Sequence, residues 1–165
     1  MAQPRDPLSS LDRALAVIVR AARWLALPLI ALLFLQWPLR DGLHRFSREA
    51  NDFGQIVFAL YVAVAVTAAM RARAHLATDV VARRYSARTA RGLARAMALL
   101  VLLPWSLFVI VAGWPPFRVS LSVLESFPDT TNPGYFLVKA SAIVLAALVL
   151  LQALVEIFAR KAGGQ

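Results

Sequence analysis

The chain is predicted to be an all-α membrane protein with four transmembrane helices, and three observations carry that expectation. The first is four apolar stretches, at about residues 24–38, 53–70, 97–114 and 135–158. A hydrocarbon layer of about 30 Å needs roughly 20 residues of helix, and arginines snorkelling at the ends complete the shorter stretches. The second is charge placement. Thirteen of the 18 basic residues, with four of the nine acids, fall in the two termini and the middle connection, a net +9; the first and third connections hold five of each and net zero. Short basic loops stay in the cytoplasm, so both termini and the Arg71–Arg95 connection are expected there. The third is negative: no alternating ten-residue pattern of a membrane β-barrel recurs.

Composition agrees. Apolar residues make up 60% of the chain and the mean hydropathy is +0.66. The pI near 11.4 belongs to span-flanking arginines, so no nucleic-acid partner is expected. The chain has no cysteine, which excludes disulfides, thiolate metal sites and cysteine nucleophiles. His44 and His75 are its two histidines. They fall on opposite sides of the membrane, so they do not share a metal, and no cofactor is expected.

Element by element, residues 1–8 with Pro4 and Pro7 read as a short tail. Ser9 and Asp12 have capping-box spacing at the start of a helix. Leu11, Leu15 and Ile18 share a face there, suited to the headgroup layer. No small-x-small cleavage site follows the first apolar run, so span one is expected to remain as an anchor. Pro28 should kink it, and Trp37 marks its outer interface. Asp52 and Gln55 repeat the capping spacing ahead of span two. In the basic connection, Leu76, Val80 and Val81 form a stripe, which predicts a surface helix at about 71–85, stopping near Tyr85 and restarting after Ser86.

Span three holds Pro104 and is expected to end at Trp114-Pro115-Pro116. An outer segment, Phe117–Thr131, follows. Asn132-Pro133-Gly134 reads as a cap with proline at the first helical position of span four. No internal repeat and no soluble domain stand out, so residues 1–165 form a single membrane domain.

No enzyme motif is present: no phosphate-binding glycine loop, no His-Glu-x-x-His pair, no serine elbow. The intramembrane hydroxyls Thr67, Ser106 and Ser141 are expected to bond a backbone carbonyl or a neighbouring helix, and Gln152 to contact another helix. Lys139 and Glu156, near opposite ends of span four, are placed to snorkel. Broken helices and repeats that build a midplane transport site are not visible. Two segments hold the specific polar residues. In the first, Arg71, His75 and Asp79 are spaced four apart and share a helical face. The second runs from Glu125 to Lys139.

These two segments together resemble the small membrane subunit of tripartite ATP-independent periplasmic (TRAP) transporters, the DctQ-like family. Arg71, His75 and Asp79 match its Arg-x-x-x-His-x-x-x-Asp pattern after the second span. Glu125, Lys139 and Gln152 match a glutamate in the outer segment, a lysine early in span four and a glutamine later in it. The resemblance covers about residues 10–160. It implies four spans with both termini cytoplasmic, in a bacterial inner membrane. It also implies two partners: a large multi-span permease subunit carrying the substrate and sodium sites, and a periplasmic substrate-binding protein. The chain would brace the first and help dock the second, in a secondary transporter mostly for organic acids. The six residues are then structural or partner-contact candidates with no catalytic, cofactor or metal role. A stand-alone small membrane enzyme or transporter needs polar groups converging at one depth. A four-span assembly factor would differ only in its partner.

Overall fold

The computed structural model describes residues 7–42, 47–72 and 86–158. Among them the architecture is a helical bundle without a β-strand, and four helices are long and apolar enough to cross a membrane. The side chain of Trp37 lies outside the described residues, as do residues 43–46 and 73–85, which include His44, His75 and Asp79.

The chain opens with α1 (Pro7–Ala22), a short 3₁₀ turn (Arg23–Leu25) and α2 (Ala26–Asp41) in unbroken succession. Pro7 leads the helix, where its missing N–H costs nothing. Ser9 therefore sits inside α1 rather than capping it, and Asp12 is released from the capping role the spacing suggested. The irregularity expected from Pro28 appears one turn earlier. Pro28 has no N–H to give the Trp24 carbonyl, and the chain tightens there, with the Ala26 N–H bonding to Arg23 O.

Helix α3 (Arg48–Arg71) starts before Asp52. Its cap is Ser47, whose hydroxyl accepts the Ala50 N–H at 3.2 Å, so Asp52 lies in the second turn. At its far end Arg71 belongs to α3, not to a surface helix. The expected restart after Ser86 is present: α4 (Ala87–Met97) is capped by Ser86, which accepts the Thr89 N–H at 3.2 Å. A π-helical turn (Ala98–Leu102) and α5 (Leu103–Ser122) continue the same rod. The wide turn lies just before Pro104, which leaves the Leu100 carbonyl without its α-helical donor.

The helical rod that contains span three thus begins ten residues before Met97 and does not end at Trp114. Pro115 and Pro116 remain inside α5. Two prolines remove two ladder bonds, a loss that helices in a membrane tolerate when neighbours pack around the site. Gly113 supplies that packing: a Cβ there would stand 3.0 Å from Ile143 Cδ1.

Helix α6 (Tyr135–Phe158) starts where the sequence placed span four. Pro133 lies before it, in an isolated antiparallel bridge with Ser126, and is not its first helical residue. Helix α6 is the hub, packed along both α3 and α5 and against α1. Ala63, Ala98, Ala146 and Ala153 are all fully buried; side chains this small let helices approach closely where no hydrophobic effect drives association. Leu15 and Val19 of α1 join Val64, Leu148 and Val155 in one core cluster, while Ile18 stays 43% exposed. The apolar face of α1 therefore serves the bundle as well as any interface.

Candidate functional site

Charged residues gather at the two ends of the bundle. Between Asp52 and Arg71 in α3, and between Lys139 and Gln152 in α6, no residue is charged. Of the two expected partners, the hydroxyls in that zone take a backbone carbonyl of their own helix. Thr67 donates to Ala63 O at 3.4 Å, Ser106 to Leu103 O at 2.9 Å and Ser141 to Leu137 O at 2.9 Å. Among the described residues no group of three His, Asp or Glu could hold a metal ion.

At one end, Arg71 closes α3. A terminal arginine on an apolar helix would ordinarily reach outward to water; this one turns across the bundle. Its Nη1 donates to Gln152 Oε1 of α6 at 3.0 Å and stands 2.8 Å from Asp12 Oδ1 of α1. Nη2 donates to the Asp12 backbone carbonyl at 3.5 Å. Gln152 is buried and the Arg71 side chain only 20% exposed, so these charge-assisted bonds are partly shielded from water. The shielded bond to Gln152 falls in the range of about 1.5–3 kcal/mol for a hydrogen bond to a charged group, while the Asp12 side chain, 49% exposed, adds less. The planar fork of the guanidinium permits several acceptors at once, which a lysine could not match. One side chain thereby ties α1, α3 and α6.

At the other end, residues 123–134 form a compact cap over α5 and α6. Ser122 ends α5, and Leu124 turns the chain with φ +47°. The Glu125 N–H donates to Ser120 O, and its carbonyl accepts the N–H groups of Gly134 and Tyr135. The Glu125 carboxylate takes both the Lys139 ammonium and the Ser120 hydroxyl. Lys139 and then Ser120 hold this carboxyl below its ordinary value near 4.5. Lys139 also lies 5.5 Å from the centre of the Tyr135 ring, within cation–π range.

Phe127, 3% exposed, fills the floor of the cap and meets Tyr135 edge-on at 5.6 Å between centroids. Gly134 has φ +147°, and a Cβ there would come within 3.1 Å of the Phe127 ring; glycine alone fits both demands. Buried Asp52 accepts the Thr130 hydroxyl and fastens the cap to α3. Beside this bond lies a polar cleft of about 310 Å³ lined by Arg48, Asn51, Asp52 and Asp129.

Four of the six residues singled out from the sequence therefore meet in two pairs, Arg71 with Gln152 and Glu125 with Lys139, at opposite ends. His75 and Asp79 lie outside the described residues. Sequence reasoning missed Asp12, Ser120 and the Asp52–Thr130 link. Asp12 is visible as an acid amid basic residues, but its spacing from Ser9 points to a cap; nothing in the sequence marks Ser120 or Thr130. Where a hydroxyl meets a carboxylate, Ser120 on Glu125 and Thr130 on Asp52, the bond joins the loop to a helix, and the Glu125 oxygen is shared with the Lys139 ammonium.

The sequence pattern of one protein family, described as tripartite ATP-independent periplasmic transporters, DctQ component, matches residues 29–162. No curated protein and no solved structure matches the chain. The matched range takes in most of α2, all of α3 to α6 and both members of each observed pair, and the chain belongs to the DctQ family, the small permease component of TRAP transporters.

Proposed function

We propose that the chain braces the large permease subunit of a TRAP transporter for organic acids and helps dock its periplasmic binding protein. It does this from a bacterial inner membrane with both termini cytoplasmic. One observation supports the bracing role above others: the Arg71 and Glu125 clusters lie at opposite ends and are committed to internal bonds, and the middle of α3 and α6 holds no charged group on which a solute or ion could be carried. The apolar outer faces agree. Trp105, Phe108 and Val111 of α5 are 45%, 69% and 70% exposed, a surface for another membrane protein or lipid. The Glu125 cap, built on backbone bonds and an aromatic floor, would face the periplasm as a firm docking platform. The family is a transporter component rather than an enzyme.

The test is affinity purification of the tagged chain from its native membranes in mild detergent. A large multi-span permease should come with it; a chain recovered alone would overturn the proposal. Sidedness has its own test, because no native cysteine interferes. Ser126→Cys should react with an impermeant thiol reagent in intact cells and Ser86→Cys should not. The reverse pattern would invert the topology.

A further inference from the structure

The rod that contains span three is longer than a bilayer requires. Arg88–Ser122 is 35 residues, about 52 Å at 1.5 Å per residue, against roughly 30 Å of hydrocarbon. The excess at the basic end is α4. Its arginines, Arg88, Arg91 and Arg95, recur at helical spacing and share one face. Leu93 and Met97 occupy the opposite face, 52% and 51% exposed. Only Ala94 of its inner residues is half-buried, and full burial begins at Ala98.

From these observations we infer that α4 is an anchoring surface for anionic phospholipid headgroups. Continuity with the span decides where the arginines lie. With Ala98 at the edge of the apolar rod, Arg95 enters the headgroup layer first, and Arg91 follows about 6 Å further out. Arg88 stands a further turn away, still within about a Debye length of the surface. A headgroup layer is roughly 5–7 Å deep on each side, so phosphates lie beside the Arg91–Arg95 pair. Each guanidinium presents five donors in a fork that matches phosphate. Leu93 and Met97 rest their side chains toward the acyl boundary when α4 tilts to bring its basic face to the phosphates. The occupant is therefore lipid, identified by charge complementarity and by the unbroken helix that holds α4 at the membrane surface. The attachment sets the tilt and depth of span three independently of any permease partner.

The experiment places a single cysteine at Gly92, where an added Cβ meets nothing within 4 Å. The full chain, labelled there with an environment-sensitive fluorophore, is reconstituted in vesicles of phosphatidylcholine alone or mixed with phosphatidylglycerol. Brominated acyl chains serve as depth quenchers. Quenching should be stronger in the anionic vesicles and should fall at high salt. The triple change Arg88→Gln, Arg91→Gln and Arg95→Gln should reduce the seated state by roughly fivefold per arginine, on the order of a hundredfold together. The triple Arg→Lys variant should keep most of it, which separates lost charge from lost folding. Equal quenching in the two vesicles, or a glutamine variant that behaves like its parent, would overturn the inference.

Discussion

The two ends of the bundle are held by opposite strategies. Arg71 reaches partners 59 and 81 residues away and joins three helices through one guanidinium. Glu125 draws on Ser120 and Lys139, five and 14 residues away, and shapes one connection. The first arrangement exists only after α1, α3 and α6 have packed. The second can form as soon as α5 and α6 lie side by side. Long-range polar ties specify which helices are neighbours, and local ties specify the shape presented at the surface. A scaffold needs both.

Phe127→Ala should have the largest effect. It empties the floor of the cap, and a buried phenylalanine truncation costs about 3 kcal/mol or more. Hydrogen exchange at Gly134 and Tyr135 should accelerate while amides around Arg71 stay protected. Acceleration at both ends would mean that the bundle behaves as one cooperative unit.

Next, Arg71→Ala should destabilise the purified chain by about 2 kcal/mol, because Asp12 and buried Gln152 both lose their cation. Combined with Gln152→Leu, the costs should fall short of additivity by about 1 kcal/mol, as expected for residues in contact. Denaturant unfolding in micelles measures both. Strict additivity would show that Arg71 acts through Asp12 alone.

The smallest effect is a pH dependence confined to the cap. Glu125 is held below its ordinary value near 4.5. Its contribution is therefore complete above that pH and is lost as the pH falls through the lower, folded value. Exchange at Gly134 should rise only in that acidic window, and Glu125→Gln should remove the dependence. A change near neutrality would assign it to another group.

These contrasts show why part of the site was legible. Gln152 stands out in an apolar helix because a strongly polar side chain there needs a partner, and the paired signs of Glu125 and Lys139 lie close in sequence. The spacing around Asp12 and Asp52 signals caps because the spacing of a cap is a local pattern. Their real roles are contacts with distant helices and a loop, which local spacing does not encode. The Pro115-Pro116 pair misled in the same way. It signals a stop in water, where a freed carbonyl finds solvent, but α5 continues through it with Ile143 packed against Gly113.

By itself the sequence determined the number of spans, the position of α6, the restart after Ser86, and the uneven charge at the two ends. Those follow from hydropathy and charge, properties each segment carries alone. Tertiary structure decided that α6 is the hub, that α1 contributes Leu15 and Val19 to the core, and that Arg71 turns inward to Asp12 and Gln152. Those choices depend on which surfaces meet, and the preference of any one helix for its neighbours is settled only when all of them compete for the same packing positions.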